Sequence, residues 1–371
     1  MTRQKSGKPS VAIIGTRGYP SYYGGFETAV RKLAPYLVDE GWDVTVYGRP
    51  GSTRDGDPER DPRVTTRVTH GLETKSLSTL TYGLTAILDA VRRKPDVALI
   101  MNVANGFWLP LLKLRGIPTL VNVDGIEWER AKWGRLAKAV FRWGAKTTAW
   151  WADELVFDAH EIGRRWKADF GRDGVFIPYG GDPATDLPLE AELTHRGYAL
   201  VVARFVPENT VLEFIEAAPL ITETHDVVIV GSSGYGGDIE ERVSQLASAN
   251  PRIHWLGHVS DDSRLFALWQ HAGVYFHGHS VGGTNPALVQ AMMLGAPIVA
   301  RDTVYNREVL GDGARLVESD SASIAAAVSE VLKSPSTQEQ LSGAAVARGR
   351  SHYAWPSVLS EYVQAMRSTA K

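Results

Sequence analysis

Short apolar runs alternate with longer segments of helical periodicity over the first half of the chain. The short runs are rich in β-branched residues, which is typical of strands, and the longer segments show the spacing typical of helices. We predict strands at Val11–Gly15, Asp43–Tyr47, Pro95–Met101 and Thr119–Val123, and helices at Glu27–Glu40 and Leu77–Arg93. Because strands and helices alternate, this half predicts a parallel sheet with helices on both faces.

The same alternation restarts after a proline- and glycine-rich connection at residues 178–183. We predict strands at Tyr198–Ala203, Asp226–Gly231, Ile253–Leu256, Val274–Phe276 and Pro297–Ala300, and helices at Asn209–Ala218, Asp238–Ala247, Ser263–His271, Pro286–Leu294 and Pro356–Met366. Two such arrays predict an α/β protein of two Rossmann-like, doubly wound domains that face a cleft. We place the domains at 1–182 and 183–350, with a C-terminal helix in 351–371 that crosses back to the first domain. Ligands of open α/β sheets bind beyond the carboxyl ends of the strands.

The loop after the first predicted strand is rich in glycine. It reads GTRGYP from Gly15, and Gly24 and Gly25 open the following helix. Glycines allow a backbone to approach a ligand closely, and the amides at a helix N-terminus favour an anion. The spacing differs from the three-glycine dinucleotide fingerprint, which argues against a nicotinamide-dependent dehydrogenase. A plain strand-to-helix turn is the alternative.

A second loop, HGHSVGGTNP from His277, lies between a predicted strand and a predicted helix. Asn285 is suited to cap that helix and Pro286 to begin it. The main-chain amides around Gly282–Asn285 would then lie at the strand ends, where several of them together would hold a diphosphate. The alternative is that the glycines only form the turn.

Arg204 follows the first strand of the second predicted domain, within ARFVPEN from Ala203. An arginine at a strand end can bind phosphate oxygens through its forked guanidinium. The alternative is a surface ion pair with Glu208.

Composition narrows the class of protein. Lysine plus arginine number 40 and aspartate plus glutamate 42, so the net charge of −2 argues against a nucleic-acid protein held by overall charge. The chain has no cysteine, which excludes disulfides, thiolate zinc sites and cysteine nucleophiles and fits a reducing compartment. No run approaches the roughly 18 apolar residues of a membrane span. We therefore expect a cytoplasmic protein.

Four segments resemble family 4 glycosyltransferases, and within that family the bacterial rhamnosyltransferase-type subgroup. They are GTRGYPSYYGGFET from Gly15, NVDGIEWERAKW from Asn122, ARFVPEN from Ala203 and HGHSVGGTNPALVQAM from His277. The resemblance implies a GT-B fold with an acceptor-side first domain and a nucleotide-sugar-binding second domain. It implies retaining transfer of L-rhamnose from dTDP-rhamnose to a lipid-linked glycan in cell-surface polysaccharide synthesis. It also implies that no cofactor or metal is required besides the nucleotide-sugar co-substrate.

The resemblance assigns roles to individual residues. Gly24 and Gly25 would lie near the donor diphosphate and the acceptor, Arg204 would bind the diphosphate, and Gln290 would meet the donor ribose. The expected donor-binding residues are Gly24, Gly25, Arg204, His279, Gly282, Gly283, Thr284, Asn285 and Gln290.

The chain departs from the wider family at three positions. Asn209 replaces a usual lysine, and Gly282 and Gln290 replace two usual glutamates. A neutral amide forms weaker hydrogen bonds than a carboxylate, so reduced donor affinity is expected. A catalytically silent nucleotide-sugar-binding subunit is therefore one alternative, and a transferase that uses a UDP- or GDP-sugar is another.

In retaining transfer of the family type, the leaving phosphate oxygen accepts the acceptor proton, so no protein nucleophile is required. We expect Arg204 and the amides beside Gly283 to stabilise the leaving diphosphate. Asp124, at the end of a predicted strand, is the candidate for orienting sugar or acceptor hydroxyls, and a turn cap is its alternative. Asn105 and Glu127 are further acceptor-side candidates.

Two features suggest a metal site only weakly. Asp55-Gly56-Asp57 has D-x-D spacing but lies in a polar, arginine-rich loop. His277 and His279 lack a third ligand nearby in the sequence, and we expect one of them to contact the donor instead. The prediction is that no metal is bound.

Six of the 11 tryptophans lie between Trp128 and Trp166, and the basic segment Arg130–Trp151 contains no acidic residue. Helical spacing places Trp133, Leu136, Ala137, Val140, Gly144 and Trp151 on one face and Arg135, Lys138, Arg142 and Lys146 opposite. An ordinary helix packed through the apolar face is one interpretation. The other is docking at an anionic membrane, with Trp143 and Trp150 at the interface, by a protein peripheral to the inner face of the plasma membrane.

Overall fold

The computed structural model describes residues 7–22, 24–53, 56–72, 78–130, 133–234 and 236–371. The chain divides into a first unit of Met1–Glu129, Trp133–Pro178 and Trp355–Lys371, and a second unit of Arg130–Lys132 and Tyr179–Ala354. The boundaries expected at 182 and 350 compare with 178 and 354 in the structure. Arg130, expected in the basic helix of the first domain, is grouped with the second unit.

A seven-stranded parallel sheet forms the centre of the first unit, in the order β3-β2-β1-β4-β5-β6-β7. Its strands are β1 Ser10–Ile14, β2 Asp43–Gly48, β3 Thr65–Val68, β4 Val97–Met101, β5 Thr119–Asn122, β6 Glu154–Phe157 and β7 Val175–Phe176. Every residue of β4 is buried. A central parallel strand is covered on both faces by helices, so its sequence is a continuous apolar run rather than an alternating one.

Five helices follow these strands in chain order. They are α1 Gly25–Asp39, α2 Ser78–Arg93, α3 Leu109–Leu114, α4 Arg135–Trp151 and α5 His160–Phe170. Short 3₁₀ turns at Val103–Trp108 and Glu127–Glu129 precede α3 and α4. Helix α1 buries Val30, Leu33 and Leu37 along one stripe, which is the spacing that attaches an amphipathic helix to a sheet.

The second unit contains a six-stranded parallel sheet in the order β10-β9-β8-β11-β12-β13. The strands are β8 Tyr198–Val202, β9 Asp226–Val230, β10 Ile253–Trp255, β11 Val274–His277, β12 Ile298–Arg301 and β13 Arg315–Val317. Alternate residues of β8 enter two different cores: Ala199 and Val201 join one buried cluster, and Tyr198 and Leu200 join the other. Both faces of this sheet are therefore packed.

Among its described residues, the second unit also contains seven helices and one 3₁₀ turn, Pro207–Asn209. The helices are α6 Val211–Ile221, α7 Asp238–Ala249, α8 Asp262–His271, α9 Pro286–Met293, α10 Val304–Leu310, α11 Ser321–Leu332 and α12 Pro335–His352. Asp261, Thr303 and Asp320 cap helices α8, α10 and α11 by accepting main-chain N–H bonds. Such caps satisfy amides that have no partner within the helix.

The last helix, α13 Trp355–Thr369, belongs to the first unit. It packs on α1, β4 and β5. Asn122 Nδ2 at the end of β5 donates to the Tyr362 hydroxyl at 2.7 Å, and Arg367 pairs with Glu40 at 2.9 Å. Among the residues that the structure describes, no helix is long and apolar enough to cross a bilayer.

The tryptophan-rich segment differs from its prediction. Helix α4 begins at Arg135 rather than Arg130, and the expected inner face is wrong because Leu136 and Trp151 are exposed. The residues that α4 buries are Gly144, Ala145, Thr148 and Ala149. A Cβ on Gly144 would lie 2.7 Å from the Val103 carbonyl oxygen, so the helix approaches its neighbour through its smallest side chains.

Candidate functional site

Each sheet contains one pair of adjacent strands from which the chain winds in opposite directions. In the first unit this pair is β1 and β4, and in the second unit it is β8 and β11. Doubly wound sheets bind ligands at the carboxyl ends of the strands at this point, because the flanking loops separate there. The loops after these four strands are therefore the candidate binding loops.

In the second unit, the loops after β8 and β11 are bonded to each other. The main-chain N–H and the hydroxyl of Ser280 both donate to the Glu208 carbonyl oxygen at 2.9 Å. The Thr210 hydroxyl donates to the Gly278 carbonyl at 2.6 Å. A Cβ on Gly278 would lie 2.5 Å from the Asn209 carbonyl oxygen, so the approach requires glycine. These contacts fix the two loops as one surface.

The loop after β11 ends at the N-terminus of α9. The Asn285 side chain accepts the Ala287 N–H at 3.0 Å and Pro286 begins the helix, as the sequence predicts. Gly282 adopts a φ of 108°, which suits glycine. Among the described residues, the Gly282 and Gly283 amides donate to no main-chain or side-chain acceptor, and the first turn of α9 holds no acid. The loop therefore offers donors and a helix end to an anion.

Arg204 is exposed at the end of β8. The buried Asn209 side chain donates to the Arg204 carbonyl at 2.9 Å and so closes the turn. In the described part of the chain, Arg204 forms no ion pair with Glu208. Glu208 is only 7% exposed, and both its carboxylate oxygens lack a hydrogen-bond partner there. Asn209 is thus a positioning residue. Glu208, named from the sequence only as an alternative ion-pair partner of Arg204, is a buried acid without a hydrogen-bond partner among the described residues.

His277 and His279 stack with ring centroids 4.4 Å apart, beneath the glycine-rich loop. Tyr275 and His277 Nδ1 form a hydrogen bond at 3.0 Å. Burial lowers the pKa of His277 well below its usual value. Burial also lowers the pKa of His279, to about 3, and the positive charges of Arg204 and Arg130 contribute. Both imidazoles are therefore neutral near pH 7 and can act as hydrogen-bonding groups rather than as acids.

The positive charges that lower the pKa of His279 belong to two guanidinium groups, Arg204 and Arg130. Both groups therefore lie near His279. Arg130 Nη2 lies 3.8 Å from the position of a Cβ on Gly282. Arg130 was expected in the basic helix and was not predicted at this site. Arg130 lies in the segment that precedes α4, and hydrophobic periodicity does not predict where such a segment runs. Two arginines beside a helix N-terminus are suited to a diphosphate.

Gln290 forms two bonds to the main chain of Asp182, and its contact with the donor ribose stays a prediction. Its Oε1 accepts the Asp182 N–H at 2.9 Å, and its Nε2 donates to the Asp182 carbonyl at 3.0 Å. Gln290 is only 7% exposed, and its two bonds hold the 178–183 connection against α9. A carboxylate at this position could accept the N–H but could not donate to the carbonyl, whereas the glutamine amide does both.

The loop after β1 is less suited to an anion than the loop after β11. A Cβ on Gly15 would lie 2.1 Å from the Met101 carbonyl oxygen, so glycine is needed for packing. Glu27 in the first turn of α1 accepts the Arg17 N–H at 3.0 Å, and its other oxygen lies 3.4 Å from the Cβ position of Gly24. A protein carboxylate therefore occupies the N-terminus of α1 beside Gly24 and Gly25, and it disfavours a diphosphate there.

Three acceptor-side candidates occupy different environments. Asp124 follows β5, is half-buried and has a φ of 62°. Asn105 is fully buried and donates to the Met101 carbonyl at 2.9 Å, so it supports the packing near the first loop, and its acceptor-side role stays a prediction. Glu127 is also buried and accepts the Trp133 indole N–H at 2.8 Å, so it supports the chain before α4.

Within the described ranges, no group of three histidine, aspartate or glutamate residues lies close enough to hold a metal ion. Asp57 accepts the Tyr22 hydroxyl at 3.0 Å, while Asp55 of the D-x-D pattern lies outside the described residues.

Two family models match the chain. Residues 24–180 match a glycosyl transferase 4-like domain, and residues 196–334 match the model of glycosyl transferases group 1. The phosphatidyl-myo-inositol mannosyltransferase of Mycobacterium leprae is 30% identical over 235 residues, 59% of this chain and 61% of that protein. The O-antigen chain mannosyltransferase B of Escherichia coli is 22% identical over 192 residues, 50% of each chain. The matches thus span 50–61% of these curated relatives.

Solved structures of low sequence identity share the fold. The sucrose-phosphate synthase of Thermosynechococcus elongatus superposes with a TM-score of 0.77 at 19% identity, over 97% of this chain and 99% of that one. Anabaena HepE in complex with UDP and glucose gives 0.75 at 14% identity, over 97% and 100%. The predicted fold class of two Rossmann-like α/β domains is therefore confirmed.

Proposed function

We propose that this chain, which carries a glycosyltransferase domain in each half, transfers a sugar from a nucleotide-sugar donor with retention of anomeric configuration. One observation carries the proposal. At the carboxyl ends of β8 and β11, Arg204 and Arg130 lie by a neutral His279 and by the amides of Gly282 and Gly283. This set of cations and N–H donors suits the diphosphate of such a donor.

In the proposed reaction, Arg204 and the loop amides bind the diphosphate and stabilise the charge that develops as the anomeric C–O bond breaks. The acceptor oxygen forms its bond on the same face of the sugar. Its proton passes to the departing phosphate oxygen, so the step balances without a protein nucleophile. His279, being neutral, contributes a hydrogen bond, with Thr284 and Asn285 holding the loop. Asp124 is the proposed group for orienting hydroxyls.

The donor sugar and base are proposed from the sequence segments as L-rhamnose and dTDP. The curated relatives are named mannosyltransferases, which favours a mannosyl donor as the second candidate. The proposed acceptor is a lipid-linked saccharide of cell-surface polysaccharide synthesis. The name of the mycobacterial relative, which includes a phosphatidyl lipid, supports a lipid acceptor.

The neutral residues Asn209 and Gln290 each form specific hydrogen bonds to the main chain. Their presence is therefore compatible with an active enzyme. We therefore favour an active transferase, without a metal, over the silent binding subunit. A silent subunit would bind a nucleotide sugar without releasing the nucleoside diphosphate.

The test is a melting-temperature panel with dTDP-rhamnose, GDP-mannose and UDP-glucose, followed by a transfer assay with a detergent-solubilised lipid-linked saccharide. A ligand that binds only the folded protein raises Tm with concentration. We expect one nucleotide sugar to do so, and Arg204→Ala to reduce the shift. Arg350→Ala, an exposed arginine on α12, is the matched control. Failure of every nucleotide sugar to shift Tm or to be consumed would contradict the proposal.

A further inference from the structure

Helix α4 buries its small residues and exposes its large ones. Gly144, Ala145, Thr148 and Ala149 pack inward. Leu136 is 81% exposed, Trp143 55% and Trp150 60%. These three residues repeat every seven positions, so they form one stripe along the helix. An ordinary surface helix shows the opposite arrangement, with its large apolar residues against the core.

A stripe of basic residues lies beside the apolar one on the same exposed arc. Arg135 and Arg142 also repeat at seven positions, and Lys146 lies between the two tryptophans. The Lys146 ammonium is 5.0 Å from the centroid of each indole ring, Trp143 and Trp150. Lys146 and Arg135 form no ion pair with any described residue. We call this arc, from Leu136 to Trp150, the tryptophan face.

Acidic neighbours lie to one side of the tryptophan face. The Arg142 guanidinium lies 4.0 Å from the Asp169 carboxylate. Glu129 forms an ion pair with Arg165, and the charges of Arg142 and Lys138 also help to lower its pKa. Lys138 is half-buried on that side. Acidic neighbours thus partly neutralise the positive charges of Lys138 and Arg142, whereas the charges of Arg135 and Lys146 are not neutralised by a described residue.

The neighbouring helix extends the exposed surface. Helix α3 packs on α4 and ends in Leu114, which is 86% exposed between Lys113 and Arg115. Lys113 pairs with Asp153, just beyond the end of α4. The end of α3 therefore lies beside the end of α4 and repeats its combination of an exposed apolar side chain with basic residues.

We infer that the tryptophan face docks on an anionic lipid bilayer. Tryptophan is enriched at membrane interfaces, and lysine and arginine beside it are attracted to anionic headgroups. Charge distinguishes this occupant from a protein partner, because lysine is depleted in the centre of protein interfaces. An interfacial helix of this kind lies along the surface rather than crossing it. The inference extends the proposed function, since a lipid-linked acceptor lies in a membrane.

The test is co-sedimentation with vesicles of phosphatidylglycerol mixed with phosphatidylcholine, compared with pure phosphatidylcholine. We expect binding to the anionic vesicles only, weakening as salt is added. Lys146→Glu should weaken the partition coefficient at least about fivefold, since each basic residue near the surface contributes about that much. Trp143→Ala with Trp150→Ala should weaken it about tenfold or more, and the two phenylalanine substitutions should retain most of it.

Matched controls come from exposed residues of the second unit. Leu220→Ala on α6 and Arg350→Glu on α12 should bind as the unmodified protein does. No binding to anionic vesicles would overturn the inference, as would equal binding by all variants. Dimerisation or a bound protein abolished by Trp143→Ala, with no vesicle binding, would also overturn it. Vesicle binding needs neither donor nor acceptor, and transfer to the detergent-solubilised acceptor should survive Lys146→Glu, so the two proposals fail separately.

Discussion

Asn102 and Asp124 follow the adjacent strands β4 and β5, both with positive φ angles of 75° and 62°, and Asn102 Nδ2 donates to Asp124 Oδ2 at 3.2 Å. The Asp124 N–H also donates to Asn122 Oδ1 at 3.0 Å. Asparagine and aspartate tolerate this backbone region better than other residues, yet it is sparsely populated. Strain of this kind is concentrated at functional positions, where neighbouring contacts hold it in place.

The substitution Asp124→Asn removes the negative charge at this position but keeps a side chain that tolerates the same backbone conformation. Asparagine tolerates the same φ, so we expect Tm to change little. The transfer rate should fall about tenfold to a hundredfold, the usual value of a hydrogen bond to a charged group. Transfer kinetics and thermal unfolding measure the two effects. Asp124→Ala should also lower Tm, because alanine disfavours the left-handed region. Full activity in Asp124→Asn would remove the carboxylate from the mechanism.

Gln290→Glu tests whether this residue holds the 178–183 connection or binds the donor. The carboxylate would lose the bond to the Asp182 carbonyl and place two acceptors together. We expect the free energy of unfolding to fall by about 1–3 kcal/mol in urea titrations. Gln364→Glu, an exposed position on α13, should change it little. Tighter donor binding by Gln290→Glu, without loss of stability, would favour the ribose contact instead.

His279 should make the protein sensitive to acid. Its pKa is about 3 in the folded chain and about 6.5 when unfolded. Below pH 6.5 the unfolded state therefore binds a proton that the folded state does not. The contribution of His279 to stability should fall by about 1.4 kcal/mol per pH unit as the pH decreases between these values. His279→Gln, compared with the unmodified protein by urea titration at pH 7 and pH 5, should reduce the difference. An unchanged difference would contradict the assignment.

Glu208→Gln removes a buried negative charge that has no hydrogen-bond partner among the described residues. The bonds from Ser280 go to the Glu208 main chain and should survive. We expect Tm to rise, since an unpaired buried charge destabilises the fold. If the carboxylate accepts donor hydroxyls, the Tm shift with nucleotide sugar should become smaller. A fall in Tm without ligand would show that the charge has a structural partner.

The central strands of both sheets were predictable because their apolar runs are bounded by glycine and proline, whereas the edge strands β3, β7 and β13 were not predicted. The strands predicted at 198–203 and 226–231 each end one residue earlier in the structure. The cap at Asn285 was also predictable, because it depends only on local bonding. The predictions omit β6 and α5, and the α10–α12 region, although Ile324, Val328 and Val331 of α11 recur at helical spacing.

The roles of Gln290 and Arg130 depended on distant partners. Gln290 bonds to a residue 108 positions away, which no local pattern reveals. For α4, helical periodicity placed Leu136 and Trp151 on the inner face, although both are exposed, and it gave no reason to prefer the small residues for the interior. The close contact of Gly144 with the Val103 carbonyl decides the orientation, and that contact depends on the folded neighbour.

Helix α13 is translated after the whole second unit, yet Val358, Tyr362 and Met366 are buried in the first. On the ribosome, β4 and β5 therefore lack this covering helix while about half of the chain is still being synthesised. Nascent chains halted before Trp355 should expose that apolar surface and recruit chaperones, whereas the second unit lies entirely before Trp355 and can fold as soon as Ala354 emerges.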